Sequence, residues 1–317
     1  VEYVGRNVAE TLTVKDFGAT DYYDLTINDA NTNKATFQLG AAKVLGRNLA
    51  LTSGTLDLAS FDLTVPTDFT IGASGTLKLQ GGETVSAIDN NSGTVNYNGT
   101  GSYLTALAAG NAYTNLIFTG SGTWEPASAV TVTGALTISA GVFALDGQNL
   151  AVTGALSNDA TLRMSGAETT VTFGTMDTNS GTVIYDGNNT TGTYAIKDFG
   201  ANDYYNLTFT DANASKIVLQ IANTNTLTVA GALTLSSGSG TFDNATYDEA
   251  INVTGNVTMD NTRTDMGDAT WTTSGSFDNK DVTTFNRNLS TLVMNGTGKE
   301  LISNSTTTPF YNVTIAE

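Results

Sequence analysis

Apolar and polar residues alternate in short runs along this chain, as in Leu56-Asp57-Leu58, Leu63-Thr64-Val65, Leu77-Lys78-Leu79, Val130-Thr131-Val132, Leu227-Thr228-Val229 and Leu233-Thr234-Leu235. A period of two places one residue of each pair on a buried face and the next in solvent, which predicts half-buried β-strands. Gly, Ser, Asn or Asp bounds each run, and these residues reach the tight-turn and positive-φ conformations of corners, a use that fits the 33 glycines. No stretch of a dozen residues carries helical apolar spacing, and with only 3 prolines little interrupts backbone pairing.

The strand signals recur. Ser-Gly-Thr followed by apolar-x-apolar starts at Ser53, Ser74, Ser92, Ser121, Ser180 and Ser239, and Val-Thr-Gly-Ala-Leu runs from Val132 to Leu136 and from Val152 to Leu156, with relatives at Val229–Leu233 and Val253–Val257. A longer repeat lies over this one. Lys15 to Gly40 (KDFGATDYYDLTINDANTNKATFQLG) and Lys197 to Ala222 (KDFGANDYYNLTFTDANASKIVLQIA) share 15 of 26 positions at an offset of 182. That offset halves, because Tyr22, Tyr113 and Tyr204 are each 91 residues apart, and Phe310 to Ile315 is a further copy. A Val-x-Tyr-x-Gly marker precedes each copy at Val1–Gly5, Val95–Gly99 and Val183–Gly187, with the variant Leu292–Gly296.

A 91-residue unit is near the size of an immunoglobulin-like sandwich, but repetition every 20 or so residues inside it is the mark of a solenoid whose coils are single turns of chain. The expected fold is an all-β, right-handed parallel β-helix of about 20–24 residues per coil, stacking Val, Leu, Ile and Phe into one narrow core. At about 4.8 Å per stacked strand, roughly 14 coils make a rod on the order of 65 Å long. The expected organisation is one continuous domain over 1–317 with super-repeats 1–94, 95–182, 183–291 and a partial 292–317. The region from Gly238 to Met266 is the least regular and is expected to carry an inserted loop.

Where Gly-Ala-Leu-Thr-Ile and Ser-Gly-Thr-Leu-Asp-Leu line up as coil repeats, the chain resembles the right-handed parallel β-helices of bacterial surface proteins, filamentous-haemagglutinin-like adhesins and autotransporter passengers. The resemblance covers nearly the whole chain and implies secretion, an elongated shape, and adhesion or display without chemistry.

Formal charge is −17, from 30 acidic and 13 basic residues, so there is no basic stripe to displace counterions and nucleic acid is excluded as a partner. The absence of Cys fits an exported protein that relies on stacking, no apolar run approaches a membrane span, and the chain starts at Val1 without an initiator Met or signal peptide, so a processed product or an excerpt is expected. Both ends lie within the repeat phase and show no cap. Unpaired strand backbone there leads to two alternatives, further repeats of the same chain or head-to-tail self-association into a filament.

No His and no Cys leaves no imidazole or thiol for catalysis or metal binding. Carboxylates beside a cation are the remaining catalytic candidates, namely Asp16, Asp21 and Lys15 with their copies Asp198, Asp203 and Lys197. An active site is built once, so their duplication favours a structural corner in which Lys and Asp pair and Phe packs; no catalytic residue is assigned and the chain is expected not to be an enzyme. Asp29, Asn31 and Asn33 alternate like the first ligands of a calcium loop, and Asp211 and Asn213 partly repeat them, but Lys34 and Gly40 occupy the places of the Gly and Glu of an EF-hand. An acidic cluster at Asp260, Asp265 and Asp268 has the same turn chemistry. Calcium is therefore the one weak candidate for a bound group. Tyr22-Tyr23, Tyr204-Tyr205, Trp124 and Trp271 are candidate stacking platforms for a glycan, against the alternative that each pair has one core ring and one ring stacked on its neighbours. Taken together, these features predict an extracellular or cell-surface structural rod, with a glycan-binding or polysaccharide-degrading β-helix as the alternative.

Overall fold

The computed structural model describes residues 1–317 apart from 19, 20, 188, 190, 223, 224, 304–309 and 317. Among the described residues every regular element is a β-strand, the strands stack in parallel, and no helix is long and apolar enough to cross a membrane. The fold is a β-solenoid of about 14 turns. It divides into two compact units, the first comprising Val1–Ala144 and Leu150–Ser157, the second Leu145–Asn149 and Asn158–Glu317.

In the first unit the first face stacks Glu2–Tyr3, Asp24–Asn28, the start of Asn48–Asp57, the start of Phe69–Leu79, and Asn90–Asn91. The second face stacks Thr11–Val14, Thr36–Leu39, the ends of those two long strands, Thr94–Tyr97, Asn115–Phe118 and Leu136–Ile138. A third face is made of shorter strands such as Ser102–Tyr103, Thr123–Trp124 and Val142–Ala144. The second unit also has three faces, led by Thr161–Met164 and Thr182–Tyr185, by Gly192–Ala195 and Ile217–Gln220, and by Leu227–Val229 and Ile251–Val253.

Coil length varies more widely than the expected 20–24. Thr76 pairs with Thr94, 18 residues on, and Leu207 with Leu233, 26 on. Corners absorb the difference, so the inward positions stay in register. Phe37, Leu56, Leu77, Val95, Leu116 and Leu136 lie one on another along the second face, each no more than 1% exposed. Each such side chain contributes about 2 kcal/mol of burial that no single coil could supply.

The long repeat does not close on whole coils. From Tyr3 the chain returns to the first face at Asp24, Asn48, Phe69 and Asn90, and only on the following face does it reach Val95-Asn96-Tyr97. Equivalent marker strands of the first unit therefore occupy different faces, four turns and one further face apart.

The glycine of Val-Thr-Gly-Ala-Leu serves stacking. Gly154 donates its N–H to the Gly134 carbonyl at 3.0 Å, and a Cβ on Gly154 would lie 2.3 Å from that oxygen. Gly255 over Gly231 repeats the arrangement, with 2.4 Å for the same clash. None of these residues has a positive φ. Contact between corners requires glycine here, and the expected turn conformation applies elsewhere, as at Gly187.

The stretch from Gly238 to Met266 is regular over most of its length, with strands Thr241–Asp243, Ile251–Val253, Val257–Met259 and Arg263–Asp265. The loop excursion is confined to 244–250. Buried Asn244 holds it, donating to the Glu249 and Met266 carbonyls, both at 2.9 Å, and accepting from Glu249 N–H at 3.1 Å.

Candidate functional site

The two Lys-Asp-Phe-Gly-Ala segments form the same turn. Asp16 accepts from Gly18 N–H at 3.1 Å and Asp21 from Phe17 N–H at 2.8 Å; Asp198 accepts from Gly200 N–H at 2.8 Å and Asp203 from Phe199 N–H at 2.9 Å. Asx-type closure of this kind makes the corner a local property of its sequence.

The cations differ from the expected pairing. Asp16 and Asp21 converge on Lys43, from the following coil, whose side chain is 1% exposed; Lys43 Nζ lies 3.0 Å from Asp16 Oδ1 and touches Asp21 Oδ2. The hydrogen bond from Lys43 holds the Asp16 carboxyl below its ordinary range. Burial opposes the charge on Lys43, but hydrogen bonds to Asp21 and Asp16 outweigh it and raise the ammonium's pKa. In the second copy Asn225 stands 182 positions after Lys43. There Asp203 is bonded to the N–H of Thr228 at 2.9 Å and to its hydroxyl at 3.3 Å, and burial raises its pKa. Lys197 points to the Glu168 carbonyl, and burial lowers its pKa.

Above each corner sits a pair of tyrosines. Tyr3 hydroxyl accepts from Lys15 N–H at 2.9 Å, Tyr22 hydroxyl donates to Lys15 C=O at 2.8 Å, and the two hydroxyls are 2.7 Å apart. Tyr22 has given its only proton to the carbonyl, so the bond between the rings is donated by Tyr3. Tyr185 and Tyr204 repeat this on Lys197, at 2.8 Å to its N–H, 2.6 Å to its C=O and 3.1 Å between hydroxyls. Tyr97 and Tyr113 do so with Ala109 N–H at 3.0 Å and Gly110 C=O. These pairs are what the 91-residue repeat encodes. Met294 and Phe310 are the buried apolar counterparts in the last copy.

The calcium candidates lie at a second repeated corner. Asp29, fully buried, accepts from Asn31 N–H at 3.1 Å, Asn31 Nδ2 at 2.7 Å and Ala35 N–H at 2.7 Å, while Asn31 Nδ2 also donates to Gly5 C=O at 2.9 Å. Burial works against the charge on Asp29, but the Ala35 and Asn31 donors prevail and lower its pKa. Asn33 is exposed and uses its N–H on Asn7 at 3.0 Å, so its side chain does not join Asp29 and Asn31. Asp211 repeats the corner with Asn213 and with Ile217 N–H at 2.8 Å. The marker glycine makes room for it, since a Cβ on Gly5 would lie 2.0 Å from Asp29 Oδ2. Asp265 pairs with Arg263 at 2.8 Å and Asp268 accepts from Leu289 N–H at 2.9 Å. Among the described residues no three His, Cys, Asp or Glu groups are placed to hold a metal ion.

Of the aromatic candidates, Trp124 and Trp271 are core side chains, at 0% and 1% exposure, and offer no face to a glycan. Trp124 Nε1 donates to Gln80 C=O at 2.8 Å. Tyr22 and Tyr204 are likewise buried, and outward Tyr23 lies under the Arg47 guanidinium, 4.9 Å from its ring centre, in place of a neighbouring aromatic. An open groove of about 490 Å³ lies in the second unit, its lining including Phe173, Met176, Phe199, Asp198 and Asn202. The rings of Phe173 and Phe199 are 5.3 Å apart.

Sequence reasoning located the corners and missed Lys43, whose isolated position between Ala42 and Val44 carries no motif. It also missed Phe173, which shares the groove only because coils stack. No family model, no curated protein and no solved structure matches the chain.

Proposed function

We propose that this chain is a non-catalytic structural segment of an extracellular or cell-surface protein, either the shaft of a large adhesin or stalk or a subunit of a head-to-tail filament. The observation that carries this reading is the use of the repeated polar residues. Asp29, Asp211, Asp203 and the tyrosine pairs all have their polar atoms directed at backbone groups of the solenoid. Such groups hold coils in register and leave few polar atoms free for a substrate. The absence of Cys, the charge of −17 and the resemblance to surface β-helices support an exported setting.

Partners in this reading are further repeats of the same chain or a second copy. Asn312–Ile315 is exposed along its length, with Val313 and Ile315 uncovered, and among the described residues Glu2–Tyr3 has a strand neighbour on one side only. Parallel strand edges of this kind accept another strand in the same direction. Electron microscopy of negatively stained native material tests the two forms, since polymers many chains long favour the filament and single-chain particles favour the shaft.

A glycan-binding or polysaccharide-degrading protein is the second reading, favoured by the Phe173–Phe199 groove that Asp198 also lines. A turnover screen on acidic polysaccharides decides between the classes. Activity that is lost in Asp198→Asn or Asp16→Asn overturns the structural proposal, and no turnover on any substrate upholds it.

A further inference from the structure

The Lys43 site holds an arrangement that a structural corner does not require. A lysine side chain 1% exposed faces a carboxylate 2% exposed, and a second carboxylate, Asp16, stands 3.0 Å from the same nitrogen while 55% exposed to solvent. Beyond these contacts neither Lys43 Nζ nor Asp21 Oδ2 has a hydrogen-bond partner among the described residues. The Phe17 N–H holds Asp21 through its other oxygen at 2.8 Å, which leaves Oδ2 against the amine.

From this geometry we infer that Lys43 and Asp21 become joined by a side-chain amide, formed by the folded chain itself with Asp16 as proton carrier. The ammonium of Lys43 first passes a proton to the Asp21 carboxylate, giving an amine beside a carboxylic acid. The nitrogen lone pair attacks Cγ of Asp21 and a C–N bond forms. Asp16 then takes a second proton from the nitrogen and delivers it to the departing hydroxyl, the C–O bond breaks, and water leaves. One ammonium and one carboxylate become one amide and one water, with no oxidant, cofactor or other reactant.

In water the separate ions win because both are hydrated. Here the two carboxylates keep the resting ammonium charged against the pull of burial, but the amide removes both buried charges at once, and that relief of desolvation favours the neutral product. Fixed orientation adds an effective concentration of about 10⁵–10⁸ M. Exposed Asp16 links the site to solvent and gives the released water a way out. The bond closes the loop from residue 21 to residue 43 and so fastens one coil to the next. The second corner is an internal control, since Asp198 and Asp203 recur there in the same turn but Asn225 supplies no amine.

The intact mass of the purified full chain, measured after denaturation, tests the proposal. The expected mass is below that of the sequence by one water. Digestion should give a branched peptide that joins the segment containing Asp21 to the segment containing Lys43, and no such peptide from Asp203. Lys43→Met and Asp16→Asn should each restore the sequence mass. A full chain at its sequence mass, with cleavage after Lys43 by a lysine-specific protease, overturns the inference. So does a lost water without the branched peptide, as from an aspartyl succinimide. The unsubstituted chain alone decides if a variant fails to fold.

Discussion

Removing the hydroxyl of Tyr185 tests whether the repeated tyrosine pairs hold the coils together. In Tyr185→Phe the Lys197 N–H loses its acceptor at 2.8 Å and Tyr204 loses its donor at 3.1 Å, inside a site where both rings are 0% exposed. Two neutral hydrogen bonds at about 1 kcal/mol each, with a donor left unmet, give a loss of about 2–3 kcal/mol. For a unit of this size that lowers the melting temperature by about 5–10 °C. Tyr204→Phe should cost a similar amount by freeing the Lys197 carbonyl. The bond between the two hydroxyls is counted in both single variants but is lost once in the double variant, so the singles should sum to about 1 kcal/mol more than the double. Urea unfolding of the four proteins measures the cycle, and hydrogen exchange at the Lys197 amide should accelerate in Tyr185→Phe alone and in the double. Additivity within about 0.3 kcal/mol, with Lys197 protection unchanged, would refute the argument.

Burial pushes the Asp186 carboxyl up to about 6 against the pull of Arg163, with Asp146 and Glu168 adding to it. The folded state thus holds the proton more tightly than an unfolded Asp near 3.9, so stability should fall as pH rises from about 4 to about 6 and then level off; with the half-buried group partly screened the drop is about 1–2 kcal/mol, and Asp186→Asn should abolish the slope in pH-dependent unfolding. Gly187→Ala places a Cβ at a φ of 66°, 2.8 Å from the Asp211 carboxyl carbon, and should cost at least about 2 kcal/mol in the same assay. Leu77→Ala, in the middle of an unbroken apolar column, should cost about 3–4 kcal/mol, and a loss below about 1 kcal/mol would mean the column is not packed. A chelator should leave the melting temperature unchanged, because Asp29 is satisfied by N–H donors; a drop on chelation would restore calcium as a ligand.

How far each feature was legible depended on the distance over which it acts. The Asp-Phe-Gly turn and the Asp29 corner are written within a few residues, since the acceptor and its N–H donors are two to six positions apart. Strand alternation is equally local, and Leu77-Lys78-Leu79 or Leu233-Thr234-Leu235 could be recognised as half-buried from the pattern alone, whereas in Leu56-Asp57-Leu58 the middle residue is buried as well, paired with Lys78 from the next coil. The tyrosines could be seen to repeat, but their partnership could not, because Tyr185 and Tyr204 meet only when one coil lies on another. Trp124 takes the first apolar place of the Ser121-Gly122-Thr123 repeat, where Leu56 and Leu77 stand in other coils, so its core position was legible, whereas Trp271 belongs to no such repeat.

The chain's own text determined that it is an all-β solenoid, because period-two runs recurring every 20 or so residues have inward faces that only stacked coils can bury. Stacking decided which residues meet. Variable corners let coils take 18 or 26 residues and still keep Leu over Leu, so separation along the chain does not fix position around the axis. For that reason Tyr3 and Tyr97, equivalent residues of successive repeats, stand on different faces, and a buried amine from the next coil, Lys43, lies against Asp21.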